Sequence, residues 1–188
     1  NRGYYYGRMT NDLRRRWISS FTYRIPTMRD LPRWTGVFLA GWQTSGILNL
    51  QGGLPFSVFS SQNMNDGINA SRANLDVAQG PASLPVEERT INRWFNTAAF
   101  TTPPNFVFGN SGVNILDGPG MVTFDSSLQK IFTIREGTTL QFRADASNLF
   151  NRVNLGLPAA TIGGSTYGAI RSISTDPRNI QFALRLQF

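Results

Sequence analysis

The last nine residues of the chain alternate between bulky apolar side chains and glutamine, alanine or arginine. Successive side chains of a β-strand point to opposite faces, so a period of two predicts a strand with one apolar and one polar face. A strand of a soluble sandwich would show the same alternation, and this segment alone does not separate the two cases. The apolar positions are Ile180, Phe182, Leu184, Leu186 and Phe188.

Four earlier segments show the same alternation. One of them sets Leu140 and Phe142 against Arg143 and Asp145. We therefore predict five long strands, at residues 13–25, 41–58, 122–134, 138–150 and 179–188. Lys130 interrupts the apolar positions of the third strand. A side chain that reaches toward lipid headgroups, or a bulge that turns it to the other face, would each explain Lys130, and both remain open.

The predicted connections alternate between short and long. Arg135-Glu136-Gly137 predicts a tight turn, and Pro26 to Gly36 predicts a proline-containing turn, whereas residues 60–121 and 151–178 form long loops. A loop of roughly sixty residues is unusual in a soluble domain. Short periplasmic turns and long extracellular loops are typical of outer-membrane barrels. We therefore predict an all-β, antiparallel transmembrane β-barrel segment whose Phe188 lies at the periplasmic rim.

The two faces of these strands suit different surroundings. Lipid cannot hydrogen-bond the backbone, so spanning strands must pair in a closed sheet with apolar side chains outward and polar ones on a wet lumen. Aromatic residues near the strand ends are suited to the two membrane interfaces. The lumen-facing candidates are Arg143, Asp145, Gln181 and Arg185, and the membrane-interface candidates are Trp17, Tyr23 and Phe132.

Composition narrows the chemistry. The chain has no cysteine and no histidine, which excludes disulfides, thiolate catalysis, histidine bases and zinc sites built from these residues. Glu87 and Glu88 are adjacent and do not converge on a substrate. Asn63, Asn65 and Asp66 resemble part of a calcium loop that lacks its closing acid. We expect no catalytic residue, no metal site, no cofactor and no enzyme. Since the chain begins at Asn1 without an initiator methionine, we expect it to be a piece of a longer protein.

The net charge is +7, and most basic residues are scattered arginines. Without a basic stripe and interleaved aromatics, we predict no nucleic-acid partner. The exception is the run Arg14-Arg15-Arg16. Two interpretations stay open: contact with lipopolysaccharide phosphates at the outer rim, or an ordinary solvated loop end.

Motifs along nearly the whole chain carry a family resemblance. They include Gly41-Trp42-Gln43, Gly53-Leu54-Pro55-Phe56, Arg93-Trp94-Phe95-Asn96-Thr97-Ala98-Ala99-Phe100, Leu140-Gln141-Phe142-Arg143-Ala144, Asn148-Leu149-Phe150-Asn151 and Ile180-Gln181-Phe182. Together they resemble the C-terminal β-barrel region of a TonB-dependent outer-membrane receptor. The resemblance is to the Oar-like group, which often carries a carboxypeptidase-regulatory-like domain.

The resemblance implies a barrel of about twenty-two strands with an internal plug, in the bacterial outer membrane. These five strands would be its last. Import of a bulky ligand would be energised by the TonB complex through N-terminal parts that this sequence lacks. The alternating residues from Ile180 to Phe188 resemble the C-terminal signal that the barrel-assembly machinery reads. Outer-membrane lipid and lipopolysaccharide are the other expected partners.

Two other functions remain possible from the sequence. One is a soluble carbohydrate-binding or adhesin-like β-domain, and the other is a passive outer-membrane surface protein. Trp94, Phe95 and Phe106 lie in the first long loop and could contact a ligand or pack within the loop. We favour packing, because a loop of this length needs a small core of its own.

Overall fold

A computed structural model describes residues 5–26, 41–60 and 71–188. Within these ranges the chain forms β-strands and short 3-10 turns, which confirms the predicted all-β class. No helix among the described residues is long and apolar enough to cross a membrane. The strands, numbered in chain order, are β1 Arg16–Arg24, β2 Gln43–Gln51, β3 Pro55–Phe56, β4 Phe59–Ser60, β5 Ser71–Arg72, β6 Asn74–Leu75, β7 Phe100–Thr101, β8 Leu116–Asp117, β9 Met121–Arg135, β10 Thr138–Ser147, β11 Thr161–Ile162 and β12 Asn179–Gln187.

The chain divides into two compact units. The first, here called the connection unit, comprises Asn1–Arg15, Gly52–Met121 and Asn154–Ser174. The second, here called the sheet unit, comprises Arg16–Gln51, Val122–Val153 and Thr175–Phe188. All five long strands belong to the sheet unit, apart from the first residue of β9.

The sheet unit is a single five-stranded sheet in the order β1-β2-β9-β10-β12. This order follows the chain, as expected where each long strand pairs with the next one. The pairs β1 with β2, β9 with β10, and β10 with β12 are antiparallel. Within the described residues the sheet does not close, and β1 and β12 are its edges.

The structure changes the predicted extent of the second strand. Residues 41–58 were expected to form one strand, but β2 ends at Gln51, and Phe56 and Val58 belong to the core of the connection unit. The chain leaves the sheet at Gly52 and Gly53. Gly53 lies so close to the backbone oxygen of Gly118 that a Cβ atom would not fit there.

The fourth strand is also shorter than the predicted 138–150, because β10 ends at Ser147. Asn148 follows with a positive φ of 47°, a conformation that asparagine tolerates better than most residues. Its backbone N–H donates to Asp125 Oδ1 at 2.8 Å, and its side-chain nitrogen donates to the carbonyls of Arg152 and Asp176. The Asn148 side chain therefore fixes the point at which the chain turns out of the sheet.

The predicted tight turn at Arg135-Glu136-Gly137 lies between β9 and β10, at the end of the sheet opposite Arg16 and Asn179. Gly137 has a φ of 78° in the turn between β9 and β10, and Arg135 Nε donates to Thr138 Oγ1 at 3.1 Å. The register shifts once in this pair, between Thr138 and Thr139. Residues 27–36 of the other predicted turn lie outside the described residues, as do Asn63, Asn65 and Asp66 of the calcium-like segment.

The connection unit contains most of the two predicted long loops, 60–121 and 151–178. Its strands are only two residues long and pair over large sequence separations, in the sheets β11-β4-β5, β3-β8 and β6-β7. Three 3-10 turns, at Val77–Gln79, Val86–Glu88 and Thr97–Ala99, complete the described framework. The long loops are thus folded around a core.

Phe95 is the centre of that core, with 1% of its surface exposed. Its ring makes edge contacts with Phe56, Phe100 and Tyr167 at centroid distances of 5.6, 5.8 and 5.6 Å. Burial raises the pKa of the Tyr167 hydroxyl. Trp94 is half-buried and packs against the same cluster, while its Nε1 donates to the Asp117 carbonyl at 2.9 Å.

The packing interpretation is therefore confirmed for Phe95 and Trp94. It is wrong for Phe106, which is 66% exposed and has a positive φ of 62°. Val107 N–H donates to the Pro104 carbonyl at 3.2 Å, which closes a turn with Phe106 at its third position. The turn directs the chain so that this aromatic side chain points to solvent.

The close approach of Gly53 to Gly118 generates a stability prediction. Gly53→Ala should destabilise the full-length protein by about 1–3 kcal/mol, because a backbone oxygen cannot move aside as a side chain can. Gly52→Ala is the matched control, since a Cβ at Gly52 meets its nearest atom at an ordinary 3.5 Å. Urea unfolding would compare the two variants. Equal stability of both would contradict the proposed close contact.

Candidate functional site

Register assigns the alternate residues of the sheet to two faces. One face, here called the apolar face, is continuous over all five strands. In the antiparallel pairs, Leu140 lies opposite both Phe132 and Leu186, and Trp17 lies opposite Leu50. Its large side chains are Trp17, Phe21, Tyr23, Leu48, Leu50, Phe124, Leu128, Phe132, Leu140, Phe142, Ile180, Phe182, Leu184 and Leu186.

Aromatic contacts join the strands across this face. The Phe21 and Phe124 rings stack at 6.4 Å over Gly46, where a Cβ would come within 2.6 Å of the Phe21 ring. Trp42 meets Phe142 edge-on at 5.9 Å. These contacts show that side chains of β1, β2, β9 and β10 form one continuous apolar surface. Gly46 has no side chain and so leaves space for the Phe21 and Phe124 rings.

The apolar face is exposed along much of its length. Phe182 is 73% exposed and Leu184 is 71% exposed, and Trp17 and Phe21 are also exposed. Exposed apolar surface of this extent marks a contact with lipid or with another protein. The apolar face therefore requires a non-aqueous neighbour.

The opposite face of the sheet, here called the polar face, carries the four lumen-facing candidates. Arg143 and Asp145 form an ion pair at 2.8 Å. Register places Gln181 opposite Asp145 and Arg185 opposite Gln141. The structure brings all four candidates onto one face of β10 and β12, and their exposure to a lumen stays a prediction.

The three predicted interface aromatics lie on the apolar face near its two ends. Trp17 is opposite Leu50, at the end where β2 leaves for the long connection. Tyr23 lies near the other end of β1, and Phe132 lies close to the turn between β9 and β10. This arrangement suits two interfacial girdles, and the assignment to membrane interfaces stays a prediction.

Phe150 is a further aromatic residue near one end of the sheet that the interface prediction did not include. It is exposed and stacks on Phe124 at 5.3 Å, at the end of the sheet that carries the long connections. The strand alternation ends at Ser147, before Phe150, so this stacking contact depends on the turn at Asn148.

Lys130 stays on the apolar face, so the bulge explanation is wrong. Its pairing with Phe142 is in register, and the only shift between β9 and β10 lies at the turn. The side chain is 4% exposed, with Nζ at 5.4 Å from the Trp42 ring centroid and 4.9 Å from that of Phe132. Aromatic faces stabilise a cation where water is scarce, so these rings let a lysine occupy an apolar surface.

The C-terminal residues occupy an edge of the sheet. Ile180, Phe182, Leu184 and Leu186 lie on the apolar face of β12, and Phe188 follows the strand and is almost fully exposed. An edge strand presents unpaired backbone groups that can add a further strand. The exposed edge strand β12 and Phe188 are accessible to another protein. Their recognition by the barrel-assembly machinery stays a prediction.

The described residues contain no group of three or more His, Cys, Asp or Glu side chains that could hold a metal ion. Glu87 and Glu88 lie in an exposed 3-10 turn. The sheet carries the Arg143–Asp145 ion pair on its polar face and exposed apolar side chains on its other face.

An exposed apolar face opposite a polar one is typical of antiparallel strands that span the outer membrane. The sequence model of the family described as outer membrane beta barrel domain matches residues 1–181. The chain belongs to this family, and its location is the bacterial outer membrane. No curated protein and no solved structure matches the chain.

The position of Lys130 leads to a double-mutant prediction. In the full-length protein, Trp42→Leu and Lys130→Met should show a coupling of about 0.5–2 kcal/mol, because each variant removes one partner of the same cation–π contact. Urea unfolding in lipid vesicles would measure the four free energies. Trp17→Leu with Lys130→Met is the control cycle and should be additive. Additivity in both cycles, within about 0.3–0.5 kcal/mol, would contradict the assignment.

Proposed function

We propose that this chain forms part of the barrel wall and extracellular connections of a TonB-dependent outer-membrane receptor that takes up a bulky ligand. The observation that carries the proposal is the five-stranded sheet with one exposed apolar face and one ion-paired polar face. The proposed role is transport and binding without enzymatic chemistry, a cofactor or a nucleic-acid partner.

The apolar face supports a lipid-facing wall. A soluble sandwich would cover such a face with a second sheet, yet Phe182 and Leu184 are largely exposed. The polar face would then line the lumen, where water can solvate Arg143 and Asp145. Outer-membrane lipid and lipopolysaccharide are accordingly proposed as the neighbours of the wall.

The connections support an orientation. The residues that follow Gln51 and Ser147 lead into the long connections, and both strand ends lie at the same end of the sheet as Arg16 and Asn179. The tight turn at Gly137 lies at the other end. Because long connections are extracellular in outer-membrane barrels, β1, β9 and β12 would run toward the periplasm. Phe188 would then lie at the periplasmic rim, where the barrel-assembly machinery could read it.

The connection unit supports a receptor role. Its long segments pack around Phe95, so they can present surface side chains in fixed positions, as recognition requires. Phe106, Val107 and Phe108 form an exposed apolar turn on this framework. We assign this turn as a candidate contact for the ligand, in place of the packing role expected for Phe106.

The assignment to TonB-dependent receptors, and to their Oar-like group, rests on the motif resemblance. Gly53-Leu54-Pro55-Phe56 marks the passage of the chain from the sheet into the connection unit, and Arg93 to Phe100 contains the core residue Phe95. A plug and a TonB-contacting segment elsewhere in the protein would provide gating and energy. A passive surface protein would share the wall without these parts.

The face assignment is tested by two neighbouring substitutions in the full-length protein. Leu184→Arg should cost about 2–4 kcal/mol, because Leu184 would face hydrocarbon near the middle of the bilayer. Arg185→Leu should be mild, because Arg185 would face the lumen. Reversible unfolding in lipid vesicles would compare the two. Equal costs, or a larger cost for Arg185→Leu, would contradict the proposed faces.

Energy coupling is tested by a direct binding measurement. The purified periplasmic domain of TonB should bind the full-length protein in detergent, because a transporter must receive force from that complex. Surface plasmon resonance would detect the complex, with an outer-membrane porin as the control for non-specific binding. Binding no stronger than to the porin would favour a passive surface protein and leave the barrel wall itself intact.

A further inference from the structure

Three arginine side chains border one cleft of the connection unit. Arg8, Arg14 and Arg15 line a cavity of about 300 Å³ together with Asp117 and two glycines, Gly52 and Gly53. The arginine run predicted from the sequence is therefore divided. Arg14 and Arg15 face this cleft, whereas Arg16 is the first residue of β1 and its Nε donates to Asn49 Oδ1 at 3.3 Å.

Two carboxylates hold two of these guanidinium groups in place. Asp12 accepts from Arg8 Nε at 3.2 Å and lies 3.5 Å from Arg14 Nε. Asp117 accepts from Arg8 Nη2 at 2.5 Å, and these acidic partners raise the pKa of Arg8. Arg8 is largely covered, while Arg14 remains mostly exposed. The ion pairs thus orient Arg8 and Arg14, and the guanidinium group of Arg14 remains accessible.

Arg15 carries the unbalanced charge of the cleft. Among the described residues, no hydrogen bond or ion pair engages its guanidinium group, and the side chain is exposed. Its main chain is fixed, because the Arg15 carbonyl accepts from Gly52 N–H at 2.8 Å. Three arginines therefore stand against two carboxylates, Asp12 and Asp117, and the excess positive charge lies on a side chain that borders the cavity.

The arrangement suits a compact oxyanion. Guanidinium forks match phosphate oxygens in geometry and charge, and donate two parallel hydrogen bonds. Gly52 and Gly53 place no side chain in the cleft, which keeps it open between the arginines. A carboxylate has two oxygens and would accept hydrogen bonds from one guanidinium group. A phosphate has enough oxygens to accept from Arg14 and Arg15 together.

We propose that this cleft binds a phosphate group, with Arg14 and Arg15 as direct contacts and with Arg8 and Asp12 as positioning residues. The phosphate could belong to lipopolysaccharide or to a small soluble phosphate compound. Arg15 directly precedes β1, at the end of the sheet for which we propose an extracellular position. Only the lipopolysaccharide source depends on that orientation, and neither source depends on TonB-driven transport.

The test compares the full-length wild-type protein with Arg14→Gln/Arg15→Gln in detergent. Two probes would be titrated by isothermal calorimetry: lipopolysaccharide, with its dephosphorylated form as comparison, and inorganic phosphate. Arg171→Gln is the single-charge control from an exposed position in the same unit, matched by Arg15→Gln alone. Circular dichroism would verify that every variant keeps its β-structure.

We expect the double variant to weaken binding of at least one probe by about tenfold to a hundredfold, and Arg171→Gln to leave it unchanged. An effect on lipopolysaccharide that disappears after dephosphorylation identifies the lipid phosphate as the ligand. An effect on inorganic phosphate alone identifies a small soluble ligand. If Arg14→Gln/Arg15→Gln binds both probes as tightly as wild type, or if Arg171→Gln weakens binding as much as Arg15→Gln, the site does not exist.

Discussion

Backbone hydrogen bonding between adjacent strands is the constraint on which the rest of this structure depends. Hydrocarbon offers no partner for an N–H or a C=O group, so each spanning segment must find its partners in neighbouring strands. Pairing in the order β1-β2-β9-β10-β12 meets that requirement inside the sheet, and among the described residues no further strand pairs with the outer edges of β1 and β12. Once the backbone hydrogen bonds between the strands fix the register, alternate side chains point to opposite sides of the sheet and form the apolar and polar faces.

The same constraint explains why the chain forms two units of different character. In the sheet, local register governs which residues meet, and large apolar side chains such as Phe182 and Leu184 remain exposed. In the connection unit the long segments bury apolar residues such as Phe95 and Leu116 among themselves. Gly52 and Gly53 mark the change, since Gly53 lies against a backbone oxygen that excludes any side chain.

Charged residues show how each environment limits what the chain can carry. On the apolar face Lys130 lies against the Trp42 and Phe132 rings, whereas on the polar face Arg143 pairs with Asp145 in the open. In the connection unit, Asp12 and Asp117 hold Arg8, and Arg15 has no comparable acidic partner among the described residues. This excess of positive charge is the basis for the proposed phosphate site.

The sequence by itself determined the five strands, their two faces and the all-β class, because a period of two is local and survives in any register that keeps the faces apart. Only the tertiary structure decided that Phe56 and Val58 leave the sheet, that Phe106 is exposed while Phe95 is buried, and that Arg8 joins Arg14 and Arg15. The exposure of Phe106 follows from the turn between Pro104 and Val107. The other outcomes depend on contacts between residues far apart in the chain, such as Arg8 with Asp117. Two-residue strands and loop cores have no periodic pattern of apolar residues. The local sequence therefore does not predict which distant residues they contact.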